Sequence, residues 1–114
     1  MSIGELCEKT GFKPLSSPGG DGMGRGISGV YCCDLLSVAM GKAPAGCAWV
    51  TVMGNLNVVA VCSLVDAACV IIADGAGAEE RAVQKADQQG VLMLASPLPV
   101  FETAKLVDGL LHGE

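Results

Sequence analysis

AWVTVMGNLNVVAVCSLVDAACVIIA, residues 48–73, holds the two apolar runs on which the fold turns. Ala48-Trp49-Val50-Thr51-Val52 is rich in β-branched and aromatic residues and predicts a strand. Gly54-Asn55-Leu56-Asn57 then turns the chain, and Asn57 is placed to cap a helix running to about Val65. That helix is apolar nearly all round, which predicts that it is buried. A short turn at Asp66 leads to Cys69–Ala73, a run without alternation, as in a strand covered on both faces. A membrane span is the competing reading of Val58–Ala73. Asp66 stands at its middle, at a cost of about 2.5–3.5 kcal/mol on insertion scales. The apolar stretches on either side fall far short of the roughly 20 residues a span needs.

The pattern continues towards the C-terminus. Ala78–Gln89 is amphipathic, with Ala82, Val83 and Ala86 on one side, and Gly90 stands where a helix stops. Val91–Ala95 predicts another buried strand. Ser96-Pro97 opens a last helix, Ser96 as cap and Pro97 in the first turn. Val100, Phe101, Ala104, Val107, Leu110 and Leu111 keep helical spacing along it.

Towards the N-terminus, Ser2-Ile3-Gly4-Glu5 reads as a capping box for a helix to about Thr10, stopped by Gly11. Phe12–Leu15 suits a short strand, Ser16–Gly29 is a glycine-rich loop with Pro18, and a helix follows Asp34 and ends at Gly41. The βαβαβα order from Ala48 onward predicts a three-layer α/β/α sandwich with a mainly parallel sheet. The expected organisation is one domain over residues 1–114. Residues 1–29 supply the N-terminal helix and glycine-rich loop, and 30–114 the α/β core.

Composition narrows the partners. The net charge is −5, with seven basic residues against twelve acidic. This disfavours nucleic acid, which needs clustered Lys and Arg to displace counterions, and anionic membrane surfaces for the same reason. Met1–Pro14 carries four charged side chains and no apolar run of the signal-peptide kind, so a cytoplasmic setting is expected, with thiols reduced. Cys62 and Cys69 lie inside apolar runs, where Cys serves as a small hydrophobe. None of the six cysteines forms a C-x-x-C pair, so neither a structural zinc site nor an iron–sulfur site is indicated, and no metal is expected.

The remaining motifs point away from catalysis. Gly24-Arg25-Gly26-Ile27-Ser28-Gly29 matches G-x-G-x-x-G as a string, yet loop precedes it and Val50 stands where the acidic residue belongs. Gly41-Lys42 is followed by Ala43, with Leu36 in place of the first glycine, so no Walker loop is present and kinase chemistry lacks its phosphate cradle. His112 ends the last helix, where an imidazolium complements the helix dipole. No enzyme activity is expected. Ligands of parallel sheets bind beyond the carboxyl ends of the strands. Asn55, Asn57, Asp74, Gly75 and Ser96 should therefore converge on one edge, near helix N-termini that favour anions.

The segment Ile27-Ser28-Gly29-Val30-Tyr31-Cys32-Cys33-Asp34-Leu35-Leu36-Ser37 resembles the DRTGG domain family, whose pattern is a Thr-Gly-Gly-Tyr segment followed by Asp-Leu-Leu-Ser. The likeness runs on through Trp49-Val50-Thr51, Asn57–Val61, Val70-Ile71-Ile72, Ser96-Pro97-Leu98 and Phe101-Glu102, and covers about Gly26–Leu111. At the family's naming motif this chain keeps Ser28 and one glycine. The resemblance implies a fold like the N-terminal domain of HPr kinase/phosphorylase, which carries no catalytic site. It also implies kinship with modules beside CBS domains in regulated pyrophosphatases and with stand-alone accessory proteins of iron-hydrogenase systems. It adds Ser28, Gly29 and Asp34 to the candidate ligand-binding residues.

Three functions follow as expectations. The first is a non-catalytic regulatory or interaction module, a homo-oligomer or one docking on a larger redox or signalling enzyme. It is motivated by 51% apolar against 17% charged residues, which predicts an exposed apolar patch. The second is a sensor of a nucleotide or other anion at the strand ends, with Ser16–Gly29 as lid and no resident cofactor. The third is a thiol carrier that would need Cys32 and Cys33 reactive.

Overall fold

The computed structural model describes residues 1–113, and in it the 48–73 stretch forms the middle of a sheet. Strand β3 (Cys47–Thr51), helix α3 (Leu56–Val65) and strand β4 (Cys69–Ile72) make a parallel unit, Trp49 opposite Val70 and Val50 opposite Ile71. Before it come α1 (Ile3–Thr10), β1 (Lys13–Pro14), a 3-10 turn (Gly22–Gly24), β2 (Gly29–Cys32) and α2 (Leu36–Lys42). After it come α4 (Glu80–Gln89), β5 (Met93–Ala95) and α5 (Val100–Leu111).

Among the described residues the sheet has five strands in the order β1-β5-β4-β3-β2. Strands β2 to β5 are parallel, and β1 runs antiparallel along the outer edge of β5. Each crossover moves one place in the same direction, so right-handed connections put α2, α3 and α4 on one face. Helices α1 and α5 cover the other. The pleat divides the core accordingly: Trp49, Val70, Ile72 and Met93 pack towards α2, α3 and α4, and Val50, Ile71 and Leu94 towards α1 and α5. Every residue of β3 and β4 is buried, which is why both read as continuous apolar runs. The chain is an α/β sandwich.

Local signals came through where they act on neighbours. Ser2 Oγ accepts from the Glu5 amide at 3.1 Å and the Glu5 carboxylate accepts from the Ser2 amide at 3.2 Å, closing the capping box. Asp66 ends α3 in the left-handed region at φ 59°, and Gly90 ends α4 at φ 73°.

Other expectations need correcting. Asn55, not Asn57, caps α3; its Oδ1 accepts from the Val58 amide at 3.0 Å, while Asn57 lies exposed in the first turn. Helix α3 is buried on one side only, since Ala60, Ser63 and Leu64 face out. Ser96 does not start the last helix, which begins at Val100 behind Pro99. Phe101 is 70% exposed and belongs to no core. Helix α2 runs one residue past Gly41, to Lys42. Strand β2 follows directly on the glycine-rich loop and is a partly exposed edge strand, so it lacks the continuous apolar run that marks β3 and β4.

The Ser16–Gly29 segment is pinned at the amino-terminal ends of the strands. Ser16 Oγ donates to the Val91 carbonyl and accepts from the Met93 amide, Arg25 bonds Asp66 and Ala67, and the Ser28 amide donates to Gly46. It is therefore not a lid over the carboxyl ends. Ile3, Leu6, Phe12 and Ile27 are buried, so the first 29 residues build core rather than merely flank it.

Candidate functional site

Parallel pairing brings the ends of β2, β3, β4 and β5 to one edge, and the loops after them form the candidate site. After β2, the Asp34 carboxylate accepts from Thr51 Oγ1 at 2.7 Å and from the Val52 amide at 3.1 Å, tying that loop to the end of β3. After β3, Asn55 opens α3. The loop after β4 runs through Asp74, at φ 62°, and the left-handed glycines Gly75 and Gly77.

The loops after β4 and β5 depart to opposite faces of the sheet, towards α4 and α5. Such a divergence is where open α/β sheets hold a crevice for ligands. Here the crevice is stitched shut: the Asp74 amide donates to the Leu98 carbonyl at 2.7 Å and the Gly75 amide to Ser96 at 3.0 Å. Ser96 is buried, its hydroxyl shared with Thr103 Oγ1 at 2.8 Å and accepting from the Leu98 amide.

The open space lies one strand over. A shallow cleft of about 430 Å³ runs between Val52-Gly54-Asn55 and Ala76–Glu79. Its floor is a close backbone approach: a Cβ on Gly54 would collide with the Gly77 carbonyl, and the Glu79 amide donates to the Gly54 carbonyl at 2.8 Å. The N-termini of α3 and α4 both open beside it. That of α3 is satisfied by Asn55, while that of α4 has no side-chain cap. Asp34, Asp74 and Glu79 are the charges in the loops at this edge, and no Lys or Arg stands in residues 32–35, 51–55, 73–79 or 96–99. Any positive potential here comes from backbone N–H groups.

Of the sequence-derived residues, Asp34, Asn55, Asp74 and Gly75 come to this edge. Asn57 points out from the first turn of α3, and Ser96 is inward and engaged. Ser28 and Gly29 lie at the opposite end, where Ser28 Oγ donates to the Ala45 carbonyl. Gly54, Ala76 and Gly77 fall in the strand-end loops read from the sequence but were not among the residues chosen there, and Ala78 and Glu79 lay outside them; the glycines at 54, 75 and 77 in the two facing loops were the available signal. Two smaller hollows occupy the amino-terminal end, one of about 280 Å³ beside Pro18, Met23 and Leu92, the other of about 150 Å³ beside Arg25 and Asp66.

Cys32, Cys47, Cys62 and Cys69 are poorly set up as nucleophiles. Burial pushes the Cys32 thiol up, reinforced by the Asp34 charge, and burial pushes Cys62 up to about 12 and Cys69 further. Cys47 is also raised by burial. Among the described residues, no group of three or more His, Cys, Asp or Glu is placed to hold a metal ion. No helix among them is long and apolar enough to cross a membrane.

Among solved structures, the chain is similar to the CBS and DRTGG domains of the regulatory region of Clostridium perfringens pyrophosphatase, a structure complexed with the activator diadenosine tetraphosphate. The TM-score is 0.70 at 10% identity. The likeness is one of fold. It covers 93% of this chain and 45% of that one, so the chain spans less than half the length of the region it matches. No protein-family model and no curated protein sequence matches the chain.

Proposed function

We propose that the chain is a non-catalytic regulatory module of the DRTGG type that reads a small ligand at the carboxyl edge of its sheet. One observation carries this reading: the open cleft between Gly54-Asn55 and Gly77–Glu79, on a fold shared with a regulatory region solved with a bound nucleotide activator. Among the described residues every buried side-chain N or O has a partner, so the interior polar groups are spent on structure and the loops at the sheet edge remain for binding. An adenine nucleotide is the ligand class to try first. With three carboxylates and no Lys or Arg in these loops, its phosphates would meet helix N-termini and arrive with a divalent cation.

Thermal unfolding with diadenosine tetraphosphate, ATP and AMP, each with and without magnesium, tests the reading. A ligand at 100 times its dissociation constant adds about 2.7 kcal/mol of stability. Removing a carboxylate with Glu79→Gln should tighten a phosphate-bearing ligand in the absence of magnesium. No shift with any nucleotide overturns the nucleotide assignment. A shift that Glu79→Gln and Asp74→Asn both leave unchanged moves the site away from this cleft.

A second reading, a module that docks on a larger enzyme, is favoured by Leu35, Val38 and Met40, all exposed around α2. Co-purification from cells, with a Leu35→Glu variant as control, addresses it.

A further inference from the structure

The groove between α3 and α4 collects positive charge in a chain whose net charge is −5. It is a hollow of about 330 Å³ lined by Leu56, the first residue of α3, and by Arg81, Gln84, Lys85 and Gln88 of α4. Ala82 and Ala86 mark the buried side of α4, and at 3.6 residues per turn Arg81 and Lys85 share the flank towards α3. Glu80 and Asp87 fall on the other flank, where Asp87 accepts from the Ser17 amide at 2.6 Å. Opposite the two bases α3 offers no carboxylate, since the chain holds no Asp or Glu from Leu35 to Val65. Neither base makes an ion pair among the described residues.

The placement of these bases runs against helix electrostatics. Arg81 lies in the first turn of α4, the end where the helix dipole disfavours a cation, and the last turn, which would favour one, holds none. Arg81 and Lys85 also stand at i, i+4, where like charges repel. Among the described residues no ion pair offsets either cost, and such local conflicts gather at functional sites.

We propose that this groove binds the linked phosphates of a small anionic ligand. Arg81 and Lys85, one turn and about 6 Å apart along the axis, hold two phosphate groups of one chain. Gln84 and Gln88 supply amide N–H donors beside them. The amino-terminal end of α3, with no acidic residue in its first turn, adds its partial positive charge. The groove adjoins the cleft at the sheet edge, Asn55 lining the one and Leu56 the other, but its hold on phosphate does not depend on a nucleoside in that cleft.

Isothermal titration of the whole chain with inorganic tripolyphosphate, in the absence of magnesium, tests this. Wild type should bind it saturably and more tightly than orthophosphate. Arg81→Gln and Lys85→Gln should each weaken binding about tenfold, and the double variant should abolish it. Both replacements are good helix formers and remove a like-charge repulsion. Without ligand the double variant should therefore melt no lower than wild type, whereas a merely structural role for the two bases would lower it. Lys105→Gln, on α5 across the sheet, should change nothing. Adenosine, which carries no phosphate, separates the two sites. Adenosine binding without tripolyphosphate binding overturns the groove and leaves the cleft; tripolyphosphate binding without adenosine binding supports the groove and counts against a nucleoside in the cleft. A wild type that ignores tripolyphosphate, or binds orthophosphate as tightly, overturns the proposal. So does binding that the double variant keeps or that Lys105→Gln weakens equally.

Discussion

Gly54 decides how close the loops after β3 and β4 can come, because its missing Cβ is the space the Gly77 carbonyl occupies. Gly54→Ala should cost about 1–3 kcal/mol by overpacking, whereas Gly24→Ala, with nothing near its Cβ position, supplies the tolerant control. Urea midpoints for the two variants check this, and equal values would show that the loop yields. Ser16 is the second such residue. Its hydroxyl lies buried between the Val91 carbonyl and the Met93 amide, holding the glycine-rich segment against β5. Ser16→Ala leaves that amide without a partner and should cost about 1–3 kcal/mol in the same assay. Neither role could be read from sequence. Ser16 sits among turn residues and its partners are 75 and 77 positions away, so its polarity suggested loop where the fold uses it as a rivet.

At the scale of elements, what the sequence displayed depended on the reach of each interaction. The Ser2–Glu5 box, the stop at Gly11 and the cap at Gly90 are bonds between near neighbours, and they appear where spacing put them. The buried runs of β3 and β4 were legible because burial on both faces removes alternation. The start of α3 was placed two residues late because two asparagines stand two residues apart and the sequence reading took the second, Asn57, as the cap. The structure chooses Asn55, and the choice has a sign that can be measured. Asn55→Ala should destabilise by about 1 kcal/mol through the lost cap. Asn57→Ala, inside the exposed first turn, should be neutral or stabilise by up to roughly 0.7 kcal/mol through helix propensity. The reverse order would return the cap to Asn57. Part of the candidate site was legible in the same way: the rule that loops after parallel strands gather at one edge places Asn55, Asp74 and Gly75 together, while Asp34, behind a strand the sequence did not display, was reached only through the family resemblance. It could not show that backbone bonds between 74–75 and 96–98 close one crevice and leave the neighbouring one open, since those bonds join loops distant in sequence.

The whole molecule stores three of its six cysteines, Cys47, Cys62 and Cys69, as uncharged core, and this sets how it responds to alkali. Burial raises the thiols of Cys47, Cys62 and Cys69, while in the unfolded chain each returns to its ordinary value near 9. Below that value both states hold their protons and the thiols leave stability unchanged with pH. Above it the unfolded chain releases protons that the folded chain keeps, so unfolding becomes easier at about 1.4 kcal/mol per pH unit for each buried thiol. For Cys62 the loss continues from about 9 to about 12. Urea midpoints should thus be flat from pH 7 to 8.5 and fall steeply beyond 9, and Cys62→Ala, less stable at neutral pH, should show the shallower alkaline slope. A slope that the substitution leaves unchanged would mean that Cys62 ionises in the folded state. The same burial predicts the order of thiol labelling: Cys32, exposed on the edge strand, reacts first, and Cys47, Cys62 and Cys69 react only as fast as the sheet opens.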